Sequence, residues 1–172
     1  SWYWFANSSK ATESKWVKTG GKQYRLGADG KMITGNFSVD NALYHATSSG
    51  AIIAGSGWVK ADGNWWYPNS NGALRTGWVS SDGSWYWLNT KTGAMATGWV
   101  KVDGKWYLLN GSGAMLTGWQ KRGAWYYLTS SGAMKTGWLS NGGKWYWLNR
   151  DSGAMQTGWI KDDNGKWWFA DG

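Results

Sequence analysis

The chain has 172 residues, enough for one ordinary domain, yet 19 are tryptophan, 27 glycine, one proline and none cysteine. Without cysteine, disulfide staples and thiolate metal sites are excluded, and no apolar run approaches the roughly 20 residues of a membrane span, so a soluble segment held by packing and strand pairing is expected. The formal charge of +8 is spread along the whole length, which suits a phosphate-bearing partner and serves solubility equally well.

In chain order, the opening WYWF (residues 2–5) matches the second half of a repeat that becomes clear only downstream. QYRLGADGKM (residues 23–32) and LYHATSSGAI (residues 43–52) are degraded copies, in which Gln23, Asn36 and Leu43 stand where later copies carry tryptophan. From there the beat is regular. SGW begins at Ser56 and TGW at Thr76, Thr97, Thr117, Thr136 and Thr157, in steps of 20, 21, 20, 19 and 21 residues. A second mark, GAL at Gly72 and GAM at Gly93, Gly113, Gly132 and Gly153, keeps the same period. Repeats of this length signal an array in which each unit stacks on its neighbours. The expected layout is degenerate repeats over residues 1–55 and well-formed ones over 56–172. The closing WWFADG stops inside a copy, so a fragment of a longer array is expected.

Each copy reads as a β-hairpin. In Trp99 to Leu109 a two-residue Asp103-Gly104 loop lies between aromatic and β-branched residues, a strong short-range hairpin signal. It pairs Val102 with Lys105, Lys101 with Trp106, Val100 with Tyr107 and Trp99 with Leu108. Alternation then places Trp99, Lys101, Trp106 and Leu108 on one face, and Val100, Tyr107 and Leu109 on the other. The copy at Trp119–Trp125 is one residue shorter and that at Trp159–Trp167 one longer. Lys121-Arg122-Gly123, with glycine left-handed, and Asp162-Asp163-Asn164 leading to Gly165 restore the facing that a one-residue slip would lose.

A lone hairpin is marginal in water. The face with Val79, Tyr86 and Leu88, repeated as Val100, Tyr107 and Leu109 and as Leu139, Tyr146 and Leu148, is expected to bury itself between hairpins, giving an all-β solenoid of hairpins of about 20 residues. Paired tryptophans on the other face of six hairpins then exceed what a core needs, and large apolar surface marks binding. Electron-rich indole faces without neighbouring acids suit a quaternary ammonium. Met32, Met95, Met115, Met134 and Met155, each at one place in its repeat, are read either as a polarizable wall or as gap-filler.

These residues resemble the choline-binding, or cell-wall-binding, repeat family: GWVKVDGKWYLLNGSGAM is similar to its pattern of GW, short turn, WYYLN and GAM. The resemblance is strong over residues 56–172 and degraded over 1–55. It implies stacked hairpins that hold choline between consecutive repeats and dock a secreted protein on choline-decorated teichoic acids at the bacterial surface. Choline or phosphocholine of the wall is thus the expected partner, without nucleic acid or membrane insertion, and no cofactor or metal is expected.

In that family two tryptophans of one hairpin are joined by an aromatic of the next, often with methionine. Carried over, Trp99 and Trp106 take Tyr127 and Met115; Trp119 and Trp125 take Trp147 and Met134; Trp138 and Trp145 take Phe169 and Met155. Trp58 and Trp65 take Trp87, with Leu74 in the methionine place. Trp78 and Trp85, with Met95, meet Leu108 and are expected to form a weak or defective site. Gln23, Asn36 and Leu43 leave the first full repeats without a tryptophan pair, and Trp159 with Trp167 lacks a following hairpin.

Other classes fare worse. Glycan hydrolysis wants two positioned carboxylates, whereas the ten acids lie mostly in turns such as Asp62-Gly63 and Asp82-Gly83; the module is read as non-catalytic, although a parent protein can carry a separate catalytic domain. His45, the single histidine, is expected at the surface of a decayed repeat. The alternative function is binding of glucan or another wall carbohydrate, with Lys60, Ser80, Lys101, Lys121, Ser140 and Lys161 as the polar partners beside the indoles. Single-stranded nucleic acid would suit basic charge with aromatics, but the charge follows no one stripe.

Overall fold

The computed structural model describes residues 5–6, 9–10 and 14–171. Trp2, Tyr3 and Trp4 of the opening half-copy lie outside the described residues. Among those described there are strands and no helix. The chain opens with β1 (Phe5–Ala6), β2 (Ser9–Lys10), β3 (Lys15–Thr19), β4 (Lys22–Leu26), β5 (Gly35–Val39) and β6 (Ala42–Ala46). The first regular repeats give β7 (Val59–Ala61), β8 (Asn64–Trp66), β9 (Gly77–Ser81) and β10 (Ser84–Leu88). Then follow β11 (Gly98–Val102), β12 (Lys105–Leu109), β13 (Gly118–Arg122) and β14 (Ala124–Leu128). The last are β15 (Gly137–Asn141), β16 (Lys144–Leu148), β17 (Met155–Gln156), β18 (Gly158–Lys161) and β19 (Trp167–Ala170). Consecutive strands pair antiparallel as hairpins, and β17 adds a third strand beside β16.

The register is the one the turns dictate. Asp103 (φ 48°) and Gly104 (φ 79°) are both left-handed, the conformation a two-residue primed turn requires, and they set Lys101 opposite Trp106 and Val100 opposite Tyr107. Gly123 (φ 77°) turns between paired Arg122 and Ala124 and still brings Trp125 opposite Lys121. The longer last loop likewise leaves Trp167 opposite Lys161. Loop length thus varies while the facing of the second tryptophan does not.

The core runs along the end of each second strand. Leu26, Leu88, Leu109, Leu128 and Leu148 are at most 2% exposed, and each fully buried leucine contributes about 1.5–3 kcal/mol. Leu109 pairs with Gly98 of the GW mark and bridges to Met115, as Leu128 does with Gly118 and Met134. On the same face Val79 and Leu139 are buried as well, with Tyr86, Tyr107 and Tyr146 half-buried.

Chain contacts group residues 1–96 into one unit and 97–172 into another. Within the first, the backbone N–H groups of Ile52, Leu74 and Met95 donate to the carbonyls of Gln23, Leu43 and Trp65 at 2.8 Å each. Within the second, Met134 N–H donates to Trp106 O at 2.7 Å. The linker after one hairpin is therefore tied to the second-tryptophan position of the hairpin before it. The glycine of GAM makes this closeness possible: Gly132 has φ +82°, and a Cβ there would overlap the Met115 thioether.

His45 departs from the surface position expected of it. It is 6% exposed, stacks on the Trp66 ring at 4.2 Å, and has Asn36 Oδ1 2.7 Å from Nδ1 and Asp62 Oδ2 3.0 Å from Nε2. Asp62 is a turn residue of the next hairpin, which a reading confined to His45's own repeat does not bring near. Leu43 meanwhile packs on the cluster of Ile53, Trp66 and Leu74. In the decayed second repeat the tryptophan positions are thus held by Asn36, bonded to His45, and by Leu43, packed on side chains that include the next repeat's Trp66 and Leu74.

Candidate functional site

Three elements build each aromatic box. Trp99 and Trp106 come from β11 and β12 of one hairpin and stand perpendicular, with ring centroids 6.4 Å apart at 89°. The wall from the next hairpin is Tyr126 of β14, edge-on to Trp99 at 5.1 Å. Trp119 and Trp125 repeat this at 6.3 Å and 89°, with Tyr146 at 4.8 Å from Trp119. Trp138 and Trp145, at 6.3 Å and 86°, receive Trp168 at 5.4 Å from Trp138. In the first unit Trp58 meets Tyr86 at 4.8 Å, with Trp65 opposite Lys60 on the same hairpin.

The third walls therefore lie one residue before those carried over by resemblance. Tyr127, Trp147 and Phe169 pack on their own hairpins, at 5.3 Å from Trp119, 5.1 Å from Trp138 and 5.4 Å from Trp159. Trp87 likewise sits 5.2 Å from Trp78. Strand alternation explains the shift. Tyr127 pairs with Trp119 and shares its face, and that face looks onward to the following repeat; only the opposite face, with Tyr126, looks back at Trp99. The division into a packing face and a ligand face is also too sharp, since the tyrosine of the packing face closes the preceding box.

The methionines move one repeat in the same sense. Met134, not Met115, lines the open cavity of about 330 Å³ formed with Trp99, Trp106 and Tyr126. Its N–H bond to Trp106 O holds it there, and Met95 has the same tie to Trp65, displacing Leu74 from that role. Met115 instead bridges Leu109 and lies under Gly132. Met155 lines a second cavity of about 420 Å³ with Trp145 and Tyr146. Met134 thus both bridges Leu128 from its own linker and borders the box of the preceding hairpin. Leu108 is buried at 1% in its own hairpin, and Trp78 and Trp85 keep the hairpin register of the other pairs.

First tryptophans are half-buried and second ones exposed: Trp65, Trp106 and Trp125 are about 40% exposed, at 41, 38 and 41%, and Trp145 67%. The first is positioned from several sides, as Trp119 shows by donating its indole N–H to Asn141 Oδ1 at 3.2 Å. In the last hairpin Trp159, Trp167 and Phe169 are 59–70% exposed, and Trp168 donates its indole N–H to Asp162 Oδ2 at 2.7 Å. That bond holds the Asp162 carboxyl below the ordinary carboxylate range, against some desolvation.

Of the polar groups at these boxes, the lysines follow from the hairpin register and one acid does not. Asp151 and Ser152, from a linker two repeats on, line the Trp99 box, so an acid does stand beside these indoles. Repeat offset alone hides it, because Asp151 is 45 residues from Trp106. Lysine ammonium groups also lie over the second tryptophans: Lys60 over Trp65, Lys101 over Trp106 and Lys161 over Trp167 at 5.8 Å, and Lys121 over Trp125 at 5.7 Å.

Comparison with known proteins matches the repeats to two family models. The model described as a choline-binding repeat matches residues 55–98, 96–137 and 121–158, and that of a putative cell wall binding repeat matches residues 14–32 and 157–172. No curated protein sequence matches the chain. Among solved structures, the chain is similar to CbpJ from Streptococcus pneumoniae TIGR4, with 34% identity and a TM-score of 0.68 over 98% of this chain and 67% of that one. It is similar to choline-binding protein F from Streptococcus pneumoniae, solved in the presence of a peptidoglycan analogue, with 34% identity and a TM-score of 0.70 over 98% and 67% of the two chains. A multimodular pneumococcal cell wall endolysin from phage Cp-1, complexed with choline, is 34% identical with a TM-score of 0.50, over 72% of this chain and 37% of that one. The chain thus spans from about a third to two thirds of these proteins' lengths. With two tryptophans and a following aromatic recurring through residues matched by its models, the chain belongs to the choline-binding repeat family.

Proposed function

We propose that this chain is a non-catalytic module that binds choline groups of cell-wall teichoic acid through its aromatic boxes and so anchors a secreted parent protein at the bacterial surface. The observation that carries this reading is the perpendicular tryptophan pair closed by the next hairpin's ring, as in Trp99, Trp106 and Tyr126. A trimethylammonium group has no proton to donate, so ring faces and a thioether satisfy it where a sugar would need several hydrogen-bonding partners. The boxes assigned are Trp58, Trp65 and Tyr86 with Met95; Trp99, Trp106 and Tyr126 with Met134; Trp119, Trp125 and Tyr146; and Trp138, Trp145 and Trp168.

Each ring contributes about 0.5–2 kcal/mol to holding a cation, so three give a few kcal/mol before association costs. That corresponds to roughly millimolar affinity, a poor anchor singly. Several boxes meeting a polymer that repeats its ligand gain by effective concentration. The mode of action is multivalent adhesion. Retention on a quaternary-amine resin and elution by free choline is the expected result; retention on dextran unaffected by choline would replace choline with glucan. Incubation with choline-bearing walls should release no soluble wall fragments.

A further inference from the structure

Among the described residues, hairpin β15–β16 alone carries a third strand, β17. Gln156 of β17 pairs with Trp147, so it shares the face of Trp145, two residues along the neighbouring strand. Beside them opens the cavity of about 420 Å³, bordered by Lys144, Trp145, Met155, Gln156, Thr157 and Asp171. Neither Trp138 nor Trp168 lines it, so it lies next to the Trp138 box and outside it. Two properties separate it from the boxes. The side chains of Lys144, Gln156, Thr157 and Asp171 have no hydrogen-bond or ion-pair partner among the described residues. Trp145 is also uncovered: it stands opposite Ser140, where Trp65, Trp106 and Trp125 each have a lysine ammonium over the ring, and it is 67% exposed against 38–41% for those three.

A quaternary ammonium has no use for four directional polar groups. A pyranose does: its C–H face lies on an indole, and its edge needs donors and acceptors beside that platform. Lys144 offers donors only and Asp171 acceptors only, while the Gln156 amide and the Thr157 hydroxyl offer both. The two opposite charges also favour a neutral ligand, since a net charge is drawn to one and repelled by the other. An acetamido substituent meets this set with one N–H, one carbonyl and a methyl group for the Met155 thioether. We propose that this groove is a second ligand site of the chain, for a neutral sugar unit bearing an acetamido group, with Trp145 as the stacking platform and Gln156 as the residue that reads the acetamido group. The proposal goes beyond the choline reading and does not depend on it. None of the polar residues expected beside the boxes, from Lys60 to Lys161, takes part.

Indole N–H resonances of the 15N-labelled chain, followed during separate titrations with methyl N-acetyl-β-glucosaminide and methyl β-glucoside, test this. The acetamido sugar should move the Trp145 resonance with roughly millimolar affinity while Trp106 and Trp125 stay still, and saturating choline should not displace it. Gln156→Ala should weaken it roughly two- to tenfold, one hydrogen bond's worth, and leave choline affinity at the Trp99 box unchanged. The plain glucoside should bind more weakly by a similar factor. A Trp145 resonance unmoved by the acetamido sugar, equal affinities for the two sugars, an unaltered response in Q156A, or displacement by choline would each overturn the inference and leave the choline reading standing. A sugar response at Trp145 with no box resonance moved by choline would overturn only the choline reading. To separate sources of the same chemistry, co-sedimentation with wall glycan stripped of teichoic acid, weakened by Q156A, supports the wall, and capture by beads coated with an acetamido-sugar glycoprotein but not by that glycan would overturn a wall source.

Discussion

Replacing Tyr126 with leucine removes the back wall of the Trp99 box and leaves its two tryptophans in place. Tyr126 is edge-on to Trp99 at 5.1 Å and lines the cavity with Trp106 and Met134, so the loss is one ring's share of cation binding, about 0.5–2 kcal/mol. That is a roughly two- to thirtyfold weaker choline affinity at this box alone. Tyr127→Leu is the paired control. Tyr127 packs on Trp119 at 5.3 Å and accepts a hydrogen bond from Asn141 Nδ2 at 3.4 Å, so its loss should perturb the Trp119 box and spare Trp106. Choline titrations read at the Trp106 and Trp125 indole resonances separate the two. Weakening at Trp106 by Tyr127→Leu and not by Tyr126→Leu would refute the argument that the packing face of one hairpin closes the box of the previous one.

Asp151 adds a negative charge to the rim of the Trp99 box; Asp151→Asn should weaken choline there by up to about fivefold at low salt, with no change at the Trp138 box, read by the same resonances. Gly132→Ala should lower stability by about 2–4 kcal/mol, from a methyl forced onto Met115 in addition to a left-handed backbone, seen as a fall in the thermal midpoint. His45→Ala should cost about 1–3 kcal/mol by leaving its polar neighbours without a buried partner, while choline binding at the Trp119 box is unchanged. Because the folded-state pKa of Asp162 is depressed, its contribution to the last hairpin is present above the ordinary carboxylate range and lost as pH falls through the depressed folded value. The Trp168 indole resonance should therefore hold steady from neutral pH down to about pH 4 and shift only below it.

The hairpins and their register were legible in the sequence because local chemistry decides them. An Asp-Gly pair fixes a primed turn, and the turn fixes that Lys101 faces Trp106. The compensating loops at Gly123 and Gly165 followed from the same parity. What crosses from one repeat to another was harder. Tyr126 could have been chosen over Tyr127 by following parity one step further: if Trp119 looks onward, so does its cross-strand partner, and only its neighbour looks back. Met134 and Asp151 had no such signal, since their positions depend on where a linker lies relative to the hairpin before it. His45 misled for a related reason, because Asp62 and Trp66, which bury it, belong to the next repeat.

The central claim is that one hairpin's tryptophan pair and the next hairpin's ring together hold choline. A crystal structure of the chain soaked in choline tests it most directly. The account predicts a trimethylammonium group bounded by Trp99, Trp106 and Tyr126, with Met134 beside it, and equivalent groups at the Trp58, Trp119 and Trp138 boxes. Choline seated against Tyr127 on the far side of its hairpin, or boxes left empty at saturating choline, would contradict it.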